Sequence, residues 1–494
     1  MTTTTTALLP RLDGARLAIA GHFEYKRQPE LMALLKDFGV QIVKRIHPDT
    51  DALIAGRRPG RQSTEAERLH IPVVSEEQLL RSLRYELGVN TRLSALRRLV
   101  HGLPSTRRWQ RLCDHLDLWP DYDDLQLAIN YLLPHLHAWP DHLRSAPHHW
   151  TAQLAAGHDQ PRLQLVRTLS FQHLYLTPPG TLGPARALHV AHSPHLSNLT
   201  HLDLSNHQLD HTSLSAIAHS PHLTGLTHLH LRRNKLTDRD AAELARSPIL
   251  VGLIQLNLSQ NQLGPSGAEA LVSTDLSTLT QLDLSHNRLG PRGARALARS
   301  PHLAQLIHLH LGDNSLGPRG ARAIAESPHF SGLTHLHLNI PANRNLNNNG
   351  IDNEGLRALA ESPYLAQLTH LYLEGNLIRA NGIQALMESP HLTQLTHLHL
   401  DNNPLGPSGA RAIAHGTRAA QLQQLSLCYC RVGLDGIESL ADSHRLARLT
   451  HLEFDDHELP LEAIRLIVLS NHLSFSVRDW WEDILQYRRM FERI

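Results

Sequence analysis

The chain has 494 residues, 47 Lys+Arg against 46 Asp+Glu, 38 His and 3 Cys. That length implies roughly two to four folded units. The near-zero charge balance argues against a large nucleic-acid-neutralising surface, the cysteine count excludes a disulfide framework, and no run of about 18 apolar residues predicts a membrane span. The opening MTTTTTALLPRL lacks the basic flank and apolar stretch of a secretory signal, so a cytoplasmic, reducing location is expected. Residues 10–87 read as a small α/β domain. RLDGARLAIAGHF gives a short apolar strand ending at Gly21, and PELMALLKDFG an amphipathic helix closed by Gly39. VQIVKRIHPDTDALIAG gives two more strands around a turn, and STEAERLHIPVVSEEQLLRSL gives helix, strand, helix.

Several residues of this stretch carry a resemblance: Leu12 and Gly14 before the first strand, Gly21 after it, Gly39, the run Thr50-Asp51-Ala52-Leu53-Ile54-Ala55-Gly56, Ala66, Ile71 to Val74, and Ser75-Glu76-Glu77. Together they resemble a BRCT domain of the type found at the end of bacterial NAD-dependent DNA ligases. The resemblance implies binding of phosphopeptides, DNA ends or other protein domains. Family members that hold phosphate carry Ser or Thr just before the glycine of the first turn, where this chain has Ala20. Their basic positions opening the second helix correspond to Gln62 and Glu65, and Arg27 or Gln28 falls near the usual arginine of the first helix. Gly21, Lys26, Arg27, Arg57, Arg58 and Arg61 form a candidate anion-attracting set. The other reading is a domain that contacts protein or only positions the rest of the chain.

Residues 88–165 read as a helical linker and cap whose core is Trp109, Trp119, Trp139 and Trp150. The repeat follows, over 166–460. LTHLDLSNHQL from Leu199 recurs from Leu226, Leu253, Leu279, Leu306, Leu333, Leu368, Leu395, Leu422 and Leu449, with a degenerate opener at Val166. Most steps are 27 residues, and the step from Leu333 to Leu368 is 35. In each copy LxxLxL alternates as a strand, and a turn with Asn (Asn234, Asn261, Asn287, Asn314, Asn376, Asn403) offers an amide to the neighbouring turn. A helix of the form GPRGARALARSP closes the unit, opened by Gly-Pro and ended by Ser-Pro. No unit can bury its apolar face alone, so the units must stack into a solenoid.

The pattern resembles the leucine-rich repeat family in its ribonuclease-inhibitor-like form. That resemblance implies an α/β horseshoe of about 10–11 repeats, with parallel strands inside and helices outside. It implies protein binding, with no catalysis and no cofactor. Residues 461–494 depart from the repeat, and Trp480, Trp481, Tyr487 and Phe491 read as a helical C-terminal cap, or alternatively as an aromatic ligand box.

The third and fifth positions of LxxLxL, and the residue after the last Leu, face the concave side. The third position reads His201, His228, Gln255, Gln281, His308, His335, His370, His397, Gln424, His451. The fifth reads Asp203, His230, Asn257, Asp283, His310, His337, Tyr372, His399, Ser426, Glu453. With strands about 4.8 Å apart, His308, His310, His335 and His337 form a compact square. Three readings stand: a polar protein-binding surface, a surface responding to pH between about 7 and 5.5, or a Zn²⁺ or Ni²⁺ site. No residue is assigned as a metal ligand. The partner-contact set is His228, His230, His308, His310, His335, His337, His370, Tyr372, His397 and His399, with Arg344 on the Asn-rich insertion Asn339 to Gly355, which reads equally as a tolerated insertion. The Ser-Pro-His-Leu histidines, His195 among them, read as outer-rim loop residues, and Cys430, at an Asn position, reads as buried and structural.

No GxSxG, P-loop, HExxH or dinucleotide fingerprint occurs. The reading is therefore a non-enzymatic scaffold that binds a protein partner through the solenoid, with the BRCT-like domain as a second interaction module. Recruitment to DNA ends through that domain is the alternative.

Overall fold

The computed structural model describes residues 12–85, 87–119, 122–171, 182–340, 349–455 and 459–491. It divides into two compact units, one of residues 1–170 with 193–200 and one of residues 171–192 with 201–494. Among the described residues no helix is long and apolar enough to cross a membrane.

The first unit opens with β1 (Arg16–Ala20), α1 (Gln28–Asp37), β2 (Gln41–Val43), β3 (Ala52–Ala55), α2 (Arg61–Arg68), β4 (Val73–Ser75) and α3 (Glu76–Tyr85). This is the order of elements read from the sequence. The strands form one parallel sheet in the order β2-β1-β3-β4. A parallel strand covered on both faces is apolar at every position, and Leu17, Ala18, Ile19 and Ala20 are all buried. Leu17 and Ile19 join Leu31, Leu35, Leu79 and Leu83 of α1 and α3 in one core. Ala18, Ala20 and Leu53 pack with Ala66 of α2 in another.

The helices α4 (Val89–Val100), α5 (Thr106–Leu116), α6 (Tyr122–Leu136) and α7 (His148–Ala155) belong to the same unit. Ala95 and Leu118 enter the core beneath α1 and α3, so one packed interior crosses the boundary expected after residue 87. Polar contacts tie α5 to α1 and to the loop before it: Arg111 pairs with Asp37, His115, held neutral by burial, places Nε2 3.1 Å from Asp37, and Lys26 Nζ lies 2.8 Å from Asp114. Trp109, Trp119, Trp139 and Trp150 are all buried. Arg144 is buried too, and its guanidinium donates to the Leu165 carbonyl at 2.9 and 2.6 Å and to the Leu136 carbonyl at 3.1 Å. Of the opener read at Val166, Thr168–Ser170 is a strand of this unit, while residues 172–181 lie outside the described residues.

The second unit is a solenoid of strand–turn–helix repeats. Ten three-residue strands, from His201–Asp203 to His451–Glu453, pair in chain order and in parallel. The central leucines stand opposite one another, Leu282 by Leu309 by Leu336 by Leu371, and all are buried. Helices such as Gly290–Ala298 and Gly317–Ala325 turn Ala294, Leu297, Ala321 and Ile324 inward. Their opening glycines, Gly290 and Gly317, have φ of 59° and 61°, where a side chain would be strained.

Two polar ladders run through the interior. Asn261 Nδ2 donates to the carbonyls of Leu231 (3.0 Å) and Leu258 (2.8 Å), while its Oδ1 accepts from the N–H groups of Asn234 (2.9 Å) and Leu236 (3.0 Å). Asn234, Asn287, Asn314, Asn376 and Asn403 donate to the same paired carbonyls of their own repeats and neighbours. In the long repeat Asn349 takes this place, and the strands His335–His337 and His370–Tyr372 still pair directly. The extra residues therefore leave the register unchanged. Cys430 replaces the amide near the end and donates its thiol to the Leu400 carbonyl at 3.1 Å.

A second ladder comes from the serine that follows the repeat helix, Ser-Pro in most copies, which the sequence reading took only as a stop. Ser220, Ser362, Ser389 and Ser443 donate to helix-terminal carbonyls of the preceding repeat, each at 2.5 Å. Ser470 does the same to Ala441 at 2.5 Å, and Leu461–Val468 stands as one more repeat helix. Repeat architecture thus runs past the boundary expected at residue 460, and the cap proper is the helix Phe475–Phe491. In that cap Trp481 is buried, donates to the Leu452 carbonyl at 2.8 Å and meets the partly exposed Trp480 edge-on, with ring centroids 5.0 Å apart, while Tyr487 is exposed.

Asn261→Ala would strand two carbonyls and two N–H groups in a buried turn. It should cost about 3 kcal/mol, read as a lowered urea midpoint, while Gln262→Ala on the exposed turn should stay within about 0.5 kcal/mol. Equal midpoints for the two variants would count against the ladder's energetic role.

Candidate functional site

The side chains between the leucines fall into rows because the strands are in register. In the third-position row His308, His335, His370 and His397 stack continuously, with ring centroids 4.1, 4.0 and 3.9 Å apart. In the fifth-position row His310, His337, Tyr372 and His399 do the same, at 3.7, 4.0 and 4.7 Å. Ring planes within each pair are tilted by 26° or less. The structure thus brings together eight residues of the expected contact set. His228 stacks instead on His201, 3.9 Å away, and Gln255 and Gln281 separate this pair from the main row. His230 stands opposite Asp203 and Asn257, outside either continuous stack. Arg344 lies outside the described residues.

The threonine before three of the third-position histidines helps set the ring. Thr334, Thr369 and Thr396 place their hydroxyls 2.8 Å from Nδ1 of His335, His370 and His397. The repeated Thr-His dipeptide was a visible signal that the strand reading passed over.

The rings resist protonation. His337 is held down to about 3, and His335 and His370 to about 4, first by burial and then by the repulsion of neighbouring imidazoles. Burial also lowers His308, His310, His397 and His399. At neutral pH this face presents uncharged rings, and the transition expected between about pH 7 and 5.5 belongs at lower pH. The His308/His310/His335/His337 square exists, but as face-to-face stacks. Imidazole lone pairs lie in the ring plane, so parallel rings do not converge on one ion.

Beyond the rings a further row was missed. The position after the last leucine reads Glu374, Asp401, Cys428 and Asp455 in the final repeats. The reading placed that position on the inner face without following it down the chain. Asp401 Oδ1 accepts from the Ser426 hydroxyl (2.6 Å) and the Cys428 N–H (2.7 Å). Glu374 Oε1 lies 4.0 Å from His399 Nδ1, and Oε2 is buried with no hydrogen-bond partner. Burial first, and then Asp401, push the Glu374 carboxyl up to about 8. Burial similarly pushes the Cys428 and Cys430 thiols up to about 12.

In the first unit two of the five basic members of the candidate anion set are paired internally. Lys26 pairs with Asp114 and Arg57 with Glu24, while Arg27, Arg58 and Arg61 are exposed. The backbone N–H groups of Glu24, Tyr25 and Lys26 already grip a carboxylate, that of Glu76, at 2.6, 3.1 and 2.8 Å. Gly21 serves close backbone approach: a Cβ there would sit 2.8 Å from the Arg57 carbonyl oxygen. His195, expected on the outer rim, is buried, with Nε2 2.6 Å from Asp159.

The family model described as Leucine Rich repeat matches residues 195–218, 222–245, 253–272, 275–298, 302–325, 345–360 and 391–414. The solenoid is built of leucine-rich repeats. Among solved structures, the complex of Rad7 and Elc1 from yeast is 14% identical, with 84% of this chain and 90% of that chain covered and a TM-score of 0.39. An internalin of Listeria monocytogenes is 17% identical over 57% of this chain and 81% of its own, with a TM-score of 0.32. Among curated proteins, a DNA ligase of Thermomicrobium roseum is 31% identical over 84 residues, and one of Latilactobacillus sakei 34% over 67. These matches span 17% and 14% of this chain, and only 12% and 10% of the ligases' own lengths.

Acid should destabilise the ring-bearing face with a definite sign. Free imidazole titrates near 6.5, so below that pH the unfolded chain binds protons that the folded rings refuse. The contribution is whole above about 6.5 and is lost as pH falls toward about 4 and about 3. The urea midpoint should therefore fall between pH 6.5 and 4, and less steeply after His310, His335, His337 and His370 are replaced together by Gln. Superimposable profiles would show that these rings carry no such linkage.

Proposed function

We propose that this chain is a non-enzymatic scaffold that holds a protein partner on the ring-bearing face of its leucine-rich repeats, within a cytoplasmic compartment. The observation that supports this is the pair of continuous stacks, eight rings on four consecutive strands, uncharged at neutral pH. Rings held by their neighbours lose little conformational freedom on binding, and they offer apolar faces with hydrogen-bonding edges, the character of interface anchors. Four strands at about 4.8 Å span only about 15 Å. A stable interface of about 800 Å² per partner must therefore extend onto the flanking rows.

The first unit serves in this reading as a second interaction module. Its element order and the stretch of similarity to DNA ligases favour a BRCT-like role in contacting protein. Recruitment to DNA ends is the second reading, favoured by the same similarity. The net charge of +1 and the internal pairing of Lys26 and Arg57 weigh against it.

The test compares full-length chains as bait for quantitative cross-linking in extracts. One carries His335→Asp, His337→Asp and His370→Asp; the control carries Arg295→Glu and Arg319→Glu on the exposed helix side. A partner of the ring-bearing face should fall at least tenfold with the first and persist with the second. Equal recovery from both would overturn the assignment of the face. Binding to nicked duplex DNA should be weak at 50 mM salt and absent at 200 mM. Tight binding that survives the higher salt would support the second reading.

A further inference from the structure

We propose that Glu374, His399 and Asp401 form a binding site for a first-row divalent transition-metal cation, with Zn²⁺ as its type. This goes beyond the protein-binding reading and does not depend on it. One ligand atom from each residue lies within 4.8 Å of the others, the only such group among the described residues. Around tetrahedral Zn²⁺, ligands about 2.0–2.2 Å from the metal stand roughly 3.5 Å from one another. Closure by at most about 1.3 Å, by side-chain rotation, would complete the set.

Two further observations point to a cation here. Glu374 Oε2 is buried and has no hydrogen-bond partner. A buried carboxyl oxygen without a donor is costly, and a cation is the group that relieves it. Asp401 is already oriented as a ligating carboxylate: its Oδ1 is held by Ser426 at 2.6 Å and by the Cys428 N–H at 2.7 Å. Such outer contacts fix the direction of ligands in metal sites. The place is set by the fold, because Glu374 and Asp401 occupy the same position just after neighbouring strands, and His399 lies two residues before Asp401.

The donor set selects the cation class. One imidazole with two carboxylates suits Zn²⁺, Mn²⁺ or Fe²⁺. An imidazole disfavours Mg²⁺ and Ca²⁺, which take oxygen ligands. Three protein ligands leave one coordination position for water or an external group.

The test must separate this site from weak binding by the other histidines. Untagged full-length chain, stripped with chelator, is titrated with Zn²⁺ by calorimetry at pH 7.5 alongside Glu374→Gln, Asp401→Asn and a His308→Gln/His335→Gln control. We expect one tight class of about one ion per chain, weakened at least tenfold by Glu374→Gln or Asp401→Asn and kept by the control. Circular dichroism checks folding. If Glu374→Gln does not fold, Asp401→Asn decides, since its amide still accepts the Ser426 and Cys428 bonds. Co²⁺ substitution adds an independent readout: a tetrahedral visible spectrum in the parent chain, altered in Asp401→Asn. An unchanged affinity in either folded variant, loss in the control alone, or no saturable one-to-one class in the parent chain overturns the proposal.

Discussion

In seven consecutive repeats the amide of one asparagine bonds two repeats at once. Asn261 reaches the carbonyls of Leu231 and Leu258 and accepts the N–H groups of Asn234 and Leu236, so the turn of one unit is satisfied only when its neighbour is in place. The serine ladder imposes the same dependence at the helix ends. Buried backbone groups must be paired, and here each repeat supplies what the next one lacks. Stability of the solenoid then resides in nearest-neighbour interfaces, and register is fixed to the residue.

Fixed register converts a repeated sequence into surface chemistry. Any residue type that recurs between the leucines becomes a row, and a planar one becomes a stack. Burial first, and then repulsion between closely spaced imidazoles, keeps the row uncharged. The fifth-position row meets carboxylates at both ends, Asp283 beside His310 and the Glu374–Asp401 pair beside His399. The face is therefore graded, with rings in the middle and acidic groups toward the last repeats.

In the first unit the same logic removes charge from use. Lys26, Arg57, Arg111 and Asp37 pair internally, and Glu76 fills the backbone N–H cluster at Glu24 to Lys26. A basic tally in the sequence overstated what remains available, because it did not include the partners that folding brings to Arg57 and Lys26 from 33 and 88 positions away. Glu76 was among the quoted motif residues, but its carboxylate works in the unit's own loop.

The sequence by itself determined the strand–turn–helix period, the buried leucines, the asparagine turns and the membership of the two rows. These follow from periodicities of two and of 27 residues, which are local and survive in one dimension. It also determined the element order of the small α/β fold. Only the tertiary structure decided that the rings stack face to face and do not chelate, that Asn349 fills the ladder of the long repeat, that Ser470 extends the solenoid, and that Glu374, His399 and Asp401 converge. Each of these depends on side-chain direction and on which neighbour stands opposite. Spacing along a chain does not encode either, because both are set by packing between units.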